Sequence, residues 1–148
     1  MREFIFVAIA LLVMGCSDES GKEHMEERLA VGQIWSYQTR PAEPMSRITI
    51  CAIEENEKLG QIVHISIDGL SMASPTSPTG KAENIQHLPY SGDSLRASLR
   101  GIVETSVPSD EYKEGYAIWK EAFDKGEAGV FTIPVSDAID FMEGAMNK

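Results

Sequence analysis

The chain has 148 residues, a formal net charge of −10, 43% hydrophobic residues and two cysteines, Cys16 and Cys51. This length supports one domain with a core of its own and excludes a second of ordinary size. The acidity excludes nucleic acid as a partner, because a phosphate backbone is bound by lysines and arginines that displace its counterions, and two cysteines exclude a zinc site built on several thiolates.

The first residues are MREFIFVAIALLVMGC: a positive Arg2, an unbroken apolar run of eleven residues from Phe4 to Met14, then Gly15-Cys16. Eleven residues are too few to cross a bilayer but match the apolar segment of an export signal. Val13-Met14-Gly15-Cys16 resembles the lipobox of bacterial lipoproteins. That resemblance implies cleavage after Gly15 and attachment of lipid, including palmitate, to Cys16. It divides the chain into a signal peptide (1–15), a polar tether (16–29) and a single domain (30–148). The implied location is the cell envelope, with contact to the membrane through the N-terminal lipid. Ser17 after the cysteine implies the outer membrane, facing the periplasm, where the source has two membranes. With Cys16 acylated, Cys51 has no partner for an intramolecular bridge. Residues 17–29, SDESGKEHMEERL, have almost nothing to bury before Leu29, so they are expected to form a tether.

Gln33–Arg40 alternates, with Trp35 and Tyr37 on one face and Ser36 and Gln38 on the other, which predicts a strand. Ser46–Glu54 is a second, isoleucine-rich strand whose apolar residues change parity between Ile50 and Cys51, allowing a bulge or burial of both faces. Gln61–Asp68 alternates cleanly. Val63, Ile65 and Ile67 are expected in the core, and His64, Ser66 and Asp68 on the opposite, solvated face. The connections RPAEPM and NEKLG are short and contain Pro or Gly, so the simplest arrangement is an antiparallel meander.

Met72–Pro89 contains three prolines and no usable period, and reads as a long loop of the kind that is usually functional or disordered. Ser91 is placed to cap a helix carrying Leu95, Leu99, Ile102 and Val103 on one stripe. Ser109 or Asp110 caps a second helix, with Tyr112, Tyr116, Trp119 and Phe123 in line and Lys125-Gly126 at its end. GVFTIP follows as a short strand or extended segment, and Val135, Ala138, Ile139, Met142 and Met146 share one face of a closing helix. Strands first and helices later predict an α+β domain. Its expected architecture is an antiparallel sheet of three to four strands with about three helices packed on one face.

His64, Ser66 and Asp68 are the residue types of a hydrolase triad, but a strand rises about 3.3 Å per residue, so His64 and Asp68 stand too far apart to bond each other. Only adjacent members are within reach, and His87 from the expected loop is the residue that would complete such a site. The plainer reading is a solvated strand face. The histidines, His24, His64 and His87, lack the spacing that puts two imidazoles on one helical face, so no metal and no cofactor is expected. Cys51 reads as a small buried hydrophobe, and the aromatic stripe as core. Arg40 is one of few cations in an acidic domain and is a candidate for holding an anionic ligand or an internal carboxylate.

VGQIWSYQTRP (Val31–Pro41) and YAIWKEAFDKGEAGVFTIPVSDAIDFME (Tyr116–Glu143) resemble a group of small bacterial proteins with no assigned activity. The resemblance implies a single module and carries no catalytic residue. The expected function is therefore a lipid-anchored envelope protein whose acidic domain binds another protein, one with a basic surface, as an inhibitor or immunity-type module. The alternatives are a small envelope hydrolase using His64, Ser66 or Asp68, and a structural component of the envelope.

Overall fold

Three long strands carry most of the buried apolar residues, and each interrupts its own alternation once. In the computed structural model, which describes residues 27–148, β2 (Arg47–Asn56), β3 (Gly60–Ala73) and β4 (Lys81–Ser91) lie side by side, antiparallel. In β2 the core residues Ile48 and Ile50 give way to Ile53 at a bulge on Cys51, as the parity change in the sequence allowed. In β3 the register shifts between Asp68 and Met72, so Ile65 and Ile67 before it and Leu70 and Met72 after it all enter one core. Gly69 makes that shift possible: its φ is +72°, and a Cβ there would stand 3.2 Å from Ser46 Cα. In β4 a third irregularity keeps Ile85, Leu88 and Tyr90 on the core face.

β1 (Gln33–Tyr37) pairs with β2, and β5 (Leu99–Thr105) closes the order β4-β3-β2-β1-β5. The α+β class and the antiparallel sheet agree with expectation. The strand count does not, since five strands replace three to four. β4 occupies most of the expected loop, leaving only residues 74–80 between β3 and β4. The expected helix from Ser91 stops early. α1 (Gly92–Ser98) ends at Leu99, whose φ and ψ are extended, and the chain turns into β5. Ile102, placed on a helical stripe by sequence, instead pairs with Trp35 and packs against the core. The free edge of β1 offers backbone bonding to a β-branched segment, and that tertiary demand overrides the helical period.

α2 (Tyr112–Asp124) and α3 (Val135–Met146) appear where the sequence places them. Gly126, with φ +74°, closes α2. Its N–H donates to Phe123 O (2.9 Å) and that of Glu127 to Ala122 O (2.9 Å), the paired bonds of a Schellman cap. GVFTIP contributes a single parallel bridge, Phe131 to Tyr90, rather than a full strand.

The helices do not share one face. Leu95 of α1 and Val135, Ala138 and Ile139 of α3 join the cluster that contains Val63, Ile65 and Ile67. α2 lies against the opposite face, where Trp119 meets His64. The expected solvated face of β3 is thus covered, and His64 is fully buried. Leu29, the last residue of the expected tether, is also buried in the core. The signal segment, Cys16 and most of the tether fall outside the described residues. No helix among the described residues is long and apolar enough to cross a membrane.

Candidate functional site

The covered second face holds a chain of polar side chains drawn from three strands and a helix. β3 supplies His64, and across the register Pro89 stands opposite it, so that His87, displaced by the irregularity in β4, reaches the same face. His64 Nδ1 lies 2.9 Å from His87 Nε2, and His64 Nε2 lies 3.1 Å from Glu54 Oε2 on β2. Tyr116 of α2 donates its hydroxyl proton to the same Glu54 oxygen at 2.9 Å. The His64 ring meets Tyr116 edge-on at 4.7 Å and Trp119 at 4.8 Å, and stacks at 5.1 Å with His87. Trp119 donates its indole N–H to Gly129 O at 2.8 Å. Gly115 lets α2 approach, since a Cβ there would fall 2.9 Å from the Cβ of His87.

Proton bookkeeping along this chain fixes the tautomers. A carboxylate only accepts, so His64 Nε2 donates to Glu54; neutral His64 then has only a lone pair on Nδ1, and His87 Nε2 donates to it. The remaining nitrogen, His87 Nδ1, carries a lone pair and bonds to no protein atom. Among the described residues only the Tyr90 hydroxyl is both buried and without a partner, so His87 Nδ1 is reached by solvent. Burial pushes His87 down to about 4, with the neighbouring His64 adding to the shift. Burial also lowers His64, against the opposing attraction of Glu54, and raises Tyr116, which Glu54 holds in its protonated form. The arrangement presents a neutral, hydrogen-bonded imidazole pair whose outer nitrogen is a base.

Ser66 and Asp68 stand outside this chain. Ser66 accepts a weak contact from Cys51 Sγ at 3.5 Å, and with Asp68 it borders a cavity of about 40 Å³ closed by Ser109, Glu111 and Tyr112. Burial raises the Cys51 thiol, which keeps it protonated and a poor nucleophile. A cleft of about 550 Å³ lies elsewhere, between α1 and the start of α3, with Asp93, Ser94, Ser136 and Asp137 at its walls and none of the singled-out residues. Among the described residues no group of three or more His, Cys, Asp or Glu is arranged to hold a metal ion.

Arg40 faces inward partners. Its guanidinium grips the buried Glu43 twice, Nε to Oε1 at 2.6 Å and Nη2 to Oε2 at 3.0 Å, and reaches Asp140 of α3 at 2.9 Å. Glu43 Oε2 also accepts the backbone N–H of Ser71 at 2.7 Å. The bidentate bond to Glu43 raises the Arg40 pKa further, so the side chain is a permanent cation joining the β1–β2 loop, β3 and α3.

Two members of the histidine chain were not singled out from the sequence. Glu54 carries a readable signal, because beyond the Cys51 bulge it stands opposite Ile62 and so on the His64 side of the sheet. Tyr116 belongs to the aromatic stripe, whose period points to core and gives no sign of its bond to Glu54. Comparison of the chain with family models, curated proteins and solved structures finds no match.

Proposed function

We propose that this chain is a lipid-anchored cell-envelope protein whose folded domain binds another protein, as an inhibitor or immunity-type module facing a basic partner. The N-terminal pattern ending at Cys16, the resemblance to small bacterial proteins without assigned activity and the net charge of −10 support the reading. The observation that carries it is the outer edge of the sheet. Among the described residues β5 pairs with β1 alone. Along that edge Val103 is 51% exposed, and beside it Val31 and Val107, 52% and 91% exposed, line a groove of about 420 Å³. Bulges at Arg100 and Val103 blunt continuous pairing with another strand, so the edge favours a partner that grips side chains. Capture from solubilised envelopes tests this with a Val103→Asp, Val107→Asp double variant. A protein retained by the native domain and lost from the variant is the expected result, and identical retained sets would remove the reading. Labelled palmitate tests the anchor: incorporation is expected in the native chain and absent in Cys16→Ser.

A second reading, a small envelope hydrolase, is favoured by one observation, the 2.9 Å contact between His64 and His87 with Glu54 behind it. In that reading His87 Nδ1 is the general base, while Ser66 and Asp68 have no part. Hydrolysis of activated esters that disappears in His87→Gln is its expected signature.

A further inference from the structure

We propose that the cleft between α1 and the start of α3 is a binding site for a neutral saccharide of one or two rings. Its volume of about 550 Å³ falls within the range of small-molecule sites, about 300 to 1,000 Å³. The cleft exists because α1 stops at Ser98 and the chain turns away into β5, which leaves the first turn of α3 as the facing wall. Three bonds fix its lining. Ser98 Oγ accepts the Val135 N–H at 3.1 Å, Gln38 N–H donates to Ser98 O at 2.9 Å, and Gln38 Oε1 accepts from Arg100 Nη2 at 3.0 Å. Leu95 of α1 and Val135 and Ala138 of α3, all fully buried, anchor both walls in the core, so the site is formed before any ligand arrives.

The class of ligand follows from what the lining leaves unbonded. Among the described residues the Asp137 carboxylate has no hydrogen-bond or ion-pair partner, and neither do the hydroxyls of Ser94, Thr132 and Ser136. Ser98 is 4% exposed, and with its oxygen accepting from Val135 its hydroxyl proton is still free to donate. Gln38, whose oxygen is taken by Arg100, keeps its amide hydrogens. Acceptors and donors thus stand side by side, next to the apolar surface of Ala97 and of Ile133, 40% exposed. A sugar ring has the matching chemistry, with hydroxyls that both donate and accept around its rim and C–H groups on its faces. Charge selects no ion here. Asp93 and Asp137 line the cleft, while Arg96 bonds Asp93 at 3.2 Å and Arg100 bonds Gln38, so the two signs balance.

The cleft and the valine groove lie at opposite ends of β5. Gln38 and Ser98 flank the Tyr37–Leu99 pair at one end, and Thr105 to Val107 form the other. Saccharide binding is therefore separate from partner binding and does not rest on it. The shared chemistry has two sources, the N-acetylated glycan of a cell wall and free hexose sugars, and only the first of them rests on the envelope location.

The full-length protein, isotope-labelled and held in a zwitterionic detergent that carries no sugar, is titrated with diacetylchitobiose, with maltose and with putrescine, and its amide shifts are followed by NMR. Saturable shifts at millimolar sugar, largest at Ser94, Ala97, Ile133 and Ser136, are the expected result. A response to diacetylchitobiose assigns wall glycan, and a response to maltose assigns free hexose; either supports the site. Asp137→Ala removes a charged acceptor and should weaken binding about tenfold. Ala97→Phe fills the cleft from an exposed position of α1 and should abolish binding. The Val103→Asp, Val107→Asp double variant should bind sugar as the native protein does, so loss of the partner reading leaves the cleft standing. No saturable response to either sugar, shifts centred elsewhere, affinity unchanged in either cleft variant, or a response to putrescine alone each overturns the proposal. Should Asp137→Ala lose its fold, Ala97→Phe decides.

Discussion

The two faces of the sheet are closed by different physics. On one, α1 and α3 seal seventeen buried apolar residues, among them Ile48, Ile50, Ile65 and Ile139, each with no exposed surface. Apolar burial of this kind contributes roughly 25 cal/mol per Å² and is insensitive to pH. On the other, α2 brings one buried residue and a set of hydrogen bonds between titratable groups. Such bonds contribute about 1 kcal/mol each when satisfied and turn unfavourable when a proton is added or a partner lost. The first face makes the fold, and the second adds α2 through one buried indole and a set of polar contacts.

Substitutions on the two faces should therefore behave differently. Ile65→Ala on the core face should cost about 4 kcal/mol through lost burial and a residual cavity, and urea unfolding should show the α2 and core signals disappearing in one transition. Glu43→Gln should cost about 2 kcal/mol, because it removes the bidentate carboxylate from Arg40, whose side chain is 12% exposed, and leaves it the more exposed Asp140 and Glu143; the loss should appear as a lower urea midpoint with an unchanged slope. Gly126→Ala acts on the second face alone. Forcing a Cβ into φ +74° should cost about 1 kcal/mol in the α2 cap, read as faster amide exchange in residues 112–124 with the exchange of β3 unaltered. If Gly126→Ala instead lowered the global midpoint as Ile65→Ala does, the independence of the two faces would be lost.

Local periodicity located several elements correctly. Trp35 and Tyr37 share the core face, the Cys51 bulge falls where apolar parity changes, and both α2 and α3 match their stripes. It missed β4 because a strand with an irregularity between Ile85 and Leu88 has no period of two, and Pro89, two residues after His87, reads as a breaker although it sits inside the strand. It misread residues 99–105 because Leu95, Leu99, Ile102 and Val103 fit a helix as well as any stripe in the chain. Nothing local shows that β1 lacks a second partner. The histidine chain was half legible: His64 and His87 drew notice, but their 23-residue separation hid a contact that depends on how β3 and β4 align.

By itself, then, the sequence determined the acidity, the α+β class and part of the principal core, including Val63, Ile65 and Ile67. Each of these depends on composition or on neighbours within one element, where side-chain direction repeats at a known period. Only the tertiary structure decided the five-strand order, the division of the helices between two faces and the joining of Glu54, His64, His87 and Tyr116. Those depend on strand register. A bulge of one residue turns every later side chain to the other face, and whether the chain takes it is settled by the packing of the whole sheet.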